Sequence, residues 1–184
     1  MTSPAIHRPA LEESGPYYGR YIAEVPDGDV AKQLVAQMGD TLALLTSLSD
    51  DDARYRYAPG KWSVKEIIGH IADAERIFAY RLLRIVRGDS TPLPGFDENA
   101  FVAAAEFDRL PLAQLLHALR LARENTITLV HSLRPADWSR RGTASDTPLS
   151  ARAVVWIIAG HELHHRAVMQ ERYLAPMASL RPTS

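Results

Sequence analysis

"SARAVVWIIAGHELHHRAVMQERY", residues 150–173, decides how this chain is read. Ser150 is an N-cap residue type, and the run behind it predicts a helix ending near Tyr173. At 100° per residue, Val154, Ile157, Ile158, His165 and Val168 fall within roughly 60° of His161. His161 and His165 therefore stand in the middle of the apolar face, while Glu162 and His164 lie on opposite flanks. A buried imidazole with an unpaired nitrogen costs ~1–3 kcal/mol, so this pair needs partners. Hydrogen bonds within a core are one answer. The other is a metal ion, because two histidines one helical turn apart can reach the same cation.

His161, Glu162 and His165 also satisfy H-E-x-x-H, the pattern of zinc metalloproteases. Those enzymes draw a third ligand from further along the chain, and residues 166–184 offer Glu171 but no histidine. Glu171 sits too close on the same helix to turn back, and no strand is predicted that would align a peptide. Glu162 is thus expected as a helix-flank residue with a supporting hydrogen bond.

The third ligand lies upstream, in "KWSVKEIIGHIADAERIFAYRLLRIVRGD", residues 61–89. Ser63 and Glu66 have the spacing of a capping box, and Gly88 is a stop signal after Arg87. Ile67, Ala74 and Ile77 share a face with His70, which points it inward. His70, His161 and His165 make a three-imidazole set suited to Zn²⁺, Ni²⁺ or Fe²⁺, with room left for water and substrate. His117 and His131 have no partner at ligand spacing, and His7 falls near the N-terminus. Asp73 and Glu66, one turn either side of His70, are candidates to accept its second N–H. Asp73 is preferred, against a plain surface salt bridge. Arg76, Arg84 and Arg87 with Tyr80 form a basic stripe, read as a solvated face or as a carboxylate clamp for a peptide-like thiol. Gln170 is expected to be structural, and Trp62 and Trp156 to serve packing or dimer contacts.

Two further helices follow from apolar spacing. One carries Leu34, Met38, Leu42, Leu45 and Leu48. The other starts near Pro111 and carries Leu112, Leu115, Leu116, Leu119, Leu129, Val130 and Leu133. A short helical piece spans Asp97–Ala105, and no strand pair is apparent. The expectation is an all-α four-helix bundle at residues 29–175, preceded by an extended N-terminal arm at 1–28 and followed by a tail at 176–184. Loops 88–100 and 134–149 are long enough to frame a pocket entrance.

The chain has 184 residues, 46% of them hydrophobic, enough for one core. A net charge of −1 leaves no electrostatic footprint for nucleic acid or an anionic membrane. No signal-peptide or membrane-spanning run is present, so a cytoplasmic location is expected. Cysteine is absent, which removes disulfides, thiolate ligands and any protein thiol nucleophile; a reacting thiol would have to arrive with a substrate.

Three segments in order, residues 61–89, "PLPGFDENAFV" at 92–102 and "VVWIIAGHELHHRAVMQERY" at 154–173, resemble the DinB-like superfamily, most closely its YfiT-like branch. The resemblance runs from about residue 20 to residue 175. It implies a four-helix bundle, often dimeric, with zinc or nickel held by His70, His161 and His165. YfiT-like proteins are assigned as metal-dependent hydrolases. Characterised members of the wider superfamily include S-transferases using bacillithiol or mycothiol and a mycothiol-dependent maleylpyruvate isomerase. The resemblance thus implies a homodimeric enzyme whose metal activates a low-molecular-weight thiol for transfer to a small-molecule substrate. The alternatives are a hydrolase whose metal activates water, and a non-catalytic, metal-stabilised binding or stress-response module.

Overall fold

The computed structural model describes residues 6–180; the first residues of the expected arm and the last of the expected tail lie outside it. Its helices are α1 (Gly15–Glu24), α2 (Val30–Leu45), α3 (Val64–Val86), α4 (Glu98–Ala105), α5 (Leu112–His131), α6 (Ala151–Val168) and α7 (Ala175–Leu180). The four long helices pack as a ring in the order α2, α5, α3, α6, so consecutive long helices α2 and α3 stand diagonally, as do α5 and α6. Diagonal neighbours need long connections, which residues 46–63 and 132–150 supply. Among the described residues, no helix is long and apolar enough to cross a membrane.

The helix ends follow local chemistry. Asp29 and Asp97 cap α2 and α4 by accepting from the first backbone amides. Ser63 accepts from the Glu66 amide at 3.0 Å while Glu66 accepts from the Ser63 amide at 2.7 Å, the reciprocal box expected at the start of α3. Gly88, at φ +81°, ends that helix in the left-handed conformation that glycine adopts without a Cβ penalty.

Three expectations need correction. Residues 1–28 are not uniformly extended, because α1 lies within them and packs along α6. Its Tyr18, Tyr21 and Ile22 are buried at helical spacing, a signal that the surrounding Pro and Gly residues obscure. The tail begins helical, since α6 runs through a π-helical segment, Met169–Leu174, directly into α7. Lastly, residues 134–149 contain most of a hairpin, β1 (Arg141–Ala144) with β2 (Thr147–Ser150), paired Arg141↔Ser150 through Ala144↔Thr147. Its turn residues, Ser145 and Asp146, both have positive φ (50° and 57°), where Asn-Gly is the usual sequence signal. Leu93 joins this hairpin, donating to the Thr143 carbonyl at 2.9 Å and accepting from the Ser145 amide at 3.0 Å. The two loops expected to frame an entrance are thereby tied together.

Two close approaches and one buried ion network hold the bundle. A Cβ at Gly160 would lie 2.0 Å from the Tyr21 carbonyl oxygen, so α1 touches α6 backbone to backbone. A Cβ at Gly69 would lie 2.5 Å from the Phe107 ring. On the opposite side of α6, Arg123 donates to both Glu75 oxygens at 2.6 and 3.0 Å and to the Leu34 carbonyl at 2.9 Å. Its Nη2 also lies 2.7 Å from Glu162, which accepts from the Thr41 hydroxyl at 2.6 Å. Removing one member of such a network strands a buried charge and costs ~3–5 kcal/mol.

Gly160→Ala is expected to destabilise the fold by ~1–3 kcal/mol through overpacking. Gly39→Ala, where a Cβ meets nothing within 4 Å, is expected to stabilise it by ~0.4–1 kcal/mol. Thermal melts of the two variants should move in opposite directions. At the N-terminus of α6, Arg152 grips the carboxylate of Glu13 from two nitrogens. Burial works against this charge, but hydrogen bonds from Arg152, Ser150 and the Ala10 amide outweigh it and hold Glu13 down to about 2, against 4.5 normally. A depressed carboxyl stabilises the fold fully above pH 4.5 and loses that contribution as pH falls toward 2. The melting-temperature gap between wild type and Glu13→Gln should therefore close on acidification; a gap independent of pH would contradict this.

Candidate metal centre

His70 on α3 and His161 and His165 on α6 converge in the bundle core. Their Nε2 atoms are 3.1 Å apart between His70 and His161 and 3.2 Å apart between His161 and His165. One potential ligand atom from each residue lies within 4.8 Å of the others. Hydrogen bonds alone satisfy this arrangement poorly. The Nε2 of His161 faces two neighbouring nitrogens, yet a neutral ring nitrogen has either one proton or one lone pair to offer. A single cation takes all three lone pairs at once. Zn–N bonds of 2.0–2.1 Å at tetrahedral angles put donor nitrogens about 3.3 Å apart, close to the observed spacings.

The protonation states suit the same role. Burial lowers His70 to about 4. Burial, followed by the neighbouring His165 and His70, holds His161 well below the ordinary range; burial and then His70 do the same for His165. All three rings are neutral donors at physiological pH. Aromatic groups fix their orientation: Trp62 lies 4.8 Å from His70, and Tyr21 and Phe78 meet His161 edge-on at 5.4 and 6.0 Å.

Two cavities reach this cluster. The first, about 390 Å³, touches His70 and His161 and is walled by Tyr17, Tyr18, Tyr21, Phe78 and Phe96, with Ser145, Thr147 and Glu98 as polar groups. The second, about 250 Å³, touches His165 and His164 and carries Lys61, Trp62, Asn99 and Tyr173. The first lies in the size range of small-molecule sites.

Asp73 does not support His70. It pairs with Arg76 at 2.7 Å on the outer surface, because one turn along α3 carries it off the inward stripe. Glu66 is occupied by the α3 cap and by Arg56 at 3.0 Å. Glu162 lies on the flank of α6 with the expected supporting hydrogen bond, from Thr41. It is 1% exposed and committed to Arg123 and Thr41, on a different side of α6 from the cluster. The H-E-x-x-H glutamate is thus turned away from the position of a protease base.

In the basic stripe, Arg84 pairs with Asp89 and Tyr80 and Arg76 with Asp73, all on the outside of the bundle. Trp156 is buried by the N-terminal segment and donates to the Ile6 carbonyl at 3.2 Å. His117 and His131 are exposed, as is Gln170. The lining residues of α1 and Ser145 were not legible as site residues. The available signals were the spacing of Tyr17, Tyr18 and Tyr21, which presents aromatic rings along one helical face, and the length of loop 134–149, which carries Ser145.

Residues 33–169 match the DinB superfamily. A protein of Geobacillus kaustophilus named "Putative metal-dependent hydrolase" is 26% identical over 147 residues, covering 76% of this chain and 82% of its own. One of the same description from Oceanobacillus iheyensis is 24% identical over 132 residues, covering 71% and 74%. Among solved structures, YfiT from Bacillus subtilis, described as a probable metal-dependent hydrolase with an unusual four-helix bundle topology, superposes with a TM-score of 0.72 at 16% identity over 94% of each chain. A mycothiol-dependent maleylpyruvate isomerase superposes with a TM-score of 0.64 at 13% identity, over 79% of this chain and 61% of that one. These structural likenesses speak to the fold, and the diagonal placement of consecutive helices agrees with them. With most of its length matched and the three histidines gathered in its core, the chain belongs to the DinB superfamily.

Proposed function

We propose that this protein is a metal-dependent enzyme that activates a low-molecular-weight thiol for transfer to a small-molecule electrophile. The observation that carries the reading is that two separate cavities end on one histidine cluster, one at His70 and His161 and the other at His165. A reaction joining two partners needs two approaches to one point; hydrolysis needs one cavity and water. His70, His161 and His165 would hold the divalent ion. That ion, zinc or nickel, would lower the pKa of a bound thiol and so supply a nucleophile at neutral pH. The cysteine-free chain contributes no competing thiolate.

The protein's own groups then position the reactants. Trp62 and Tyr173 bound the smaller cavity, which offers Lys61 and Asn99 as polar contacts for a hydrophilic thiol such as bacillithiol or mycothiol. Tyr17, Phe78 and Phe96 give the larger cavity aromatic walls for the electrophile. A second reading, a hydrolase whose metal activates water, is favoured by the names of the sequence relatives and by Glu98 in the larger cavity.

Metal analysis of purified protein is expected to find about one equivalent in wild type and in Asp73→Asn, and a loss in His70→Ala and His161→Ala. Loss in Asp73→Asn, or retention in His161→Ala, would refute the ligand set. In the metal-loaded protein, electrophile consumption should require added thiol and fall by ~100-fold or more in His161→Ala. Ester or amide turnover without thiol would move the assignment to hydrolase. Stoichiometric metal with neither activity would leave a metal-stabilised binding module.

A further inference from the structure

Lys65, Arg81 and Arg123 carry positive charge at 1% exposure or less. Lys65 pairs with Asp50 and donates to the Leu110 carbonyl, and Arg123 is matched by Glu75 and Glu162. Arg81 has no such partner: among the described residues, its guanidinium meets neutral oxygens and, 5.5 Å from its carbon, the ring of Phe78, but no carboxylate. Nη2 donates to the Pro94 carbonyl and to the Ser145 hydroxyl, each at 2.9 Å, and Nη1 to the Tyr18 hydroxyl at 3.3 Å. Arginine does not shed its proton when buried, and a desolvated cation without a counter-charge is strongly unfavourable.

The hydroxyls show where the counter-charge belongs. Each accepts from Arg81 and so keeps one proton of its own, and no protein acceptor among the described residues takes either. Both line the larger cavity. Its wall therefore presents two O–H donors polarised by a cation directly behind them, an arrangement that selects an anion. Ser145 is held there at φ +50°, an unfavourable conformation for a residue with a side chain, at the tip of the hairpin that Leu93 ties down. The one acidic group in the cavity, Glu98, is exposed, where water weakens its field.

We propose that the larger cavity binds an organic carboxylate. The acid group sits on the Tyr18 and Ser145 hydroxyls against the charge of Arg81, the apolar or aromatic body lies between the aromatic walls, and the opposite end of the ligand reaches His70 and His161. The outer stripe of Arg76 and Arg84 does not serve this purpose, since both are already paired. The inference shares with the proposed function only the assignment of this cavity to a substrate, and binding at this wall requires neither metal nor thiol.

Calorimetric titration of 3-phenylpropanoate and of its neutral amide tests this, in zinc-loaded and in metal-free protein. The acid is expected to bind about tenfold tighter than the amide in both forms, the low end for one hydrogen bond to a charged group. That preference should shrink to within about threefold in Arg81→Gln and in Ser145→Ala combined with Tyr18→Phe, which spares the buried arginine should its own variant not fold. Equal affinity for acid and amide, or no binding of either by folded protein, overturns the proposal. So does a preference seen only with zinc and unchanged in the double variant, which would place the carboxylate on the metal. Adding the thiol identifies which substrate brings the acid: co-binding assigns it to the electrophile and displacement to the thiol, and both keep the site.

Discussion

Three neutral imidazoles aimed at one point are the constraint on which this structure depends. Each ring is stripped of most of its water, so each lone pair needs a partner inside the protein, and their geometry leaves one shared partner as the economical answer. The backbone is arranged to permit it. His70 and His161 each follow a glycine whose missing side chain lets another element close in: Phe107, just after α4, against α3, and the Tyr21 carbonyl of α1 against α6. These contacts hold the two ligand-bearing helices from behind, and the aromatic rings of Trp62, Tyr21 and Phe78 hold the imidazoles from the sides. A site fixed on two helices in this way is stiffer than one built on loops.

One turn of α6 meets two opposite electrostatic demands. His161 and His165 must stay neutral and present lone pairs to the cavities. Glu162, between them in sequence, is buried in an ion network with Arg123 and Glu75. The 100° step between adjacent helical residues keeps these environments apart. The motif H-E-x-x-H thus describes two unrelated tasks in this chain: the histidines gather at the centre, and the glutamate ties α6 to α2 and α5. Arg123 has its counter-charges within the protein; among the described residues Arg81 has none, and it stands behind a cavity wall. The contrast separates a charge used for assembly from one available to a ligand.

The bundle was legible because four apolar stripes have clear helical period, and the capping box at Ser63 and the stop at Gly88 mark the ends of α3. The histidine cluster was legible for the same reason, since phase alone turns His70, His161 and His165 inward. Illegible were the features that depend on what lies opposite a residue. Asp73 reads equally well as a ligand support or as the partner of Arg76, and only the side-chain contacts decide. Helix α1 was hidden by its prolines and glycines, and the hairpin by a Ser-Asp turn in place of Asn-Gly. Tyr18 and Ser145 lie in those two elements, so the lining of the larger cavity was not legible residue by residue, although its histidine floor and the two loops that contribute Phe96 and Thr147 were.

The central claim is that one ion, held by three imidazoles, keeps a position open between two cavities. X-ray absorption at the zinc edge of the loaded protein, without and with a low-molecular-weight thiol, tests it most directly. The account predicts three imidazole nitrogens at about 2.0–2.1 Å and, on adding thiol, a sulfur neighbour at about 2.3 Å. Fewer than three imidazoles, or a coordination shell that thiol leaves unchanged, would contradict it.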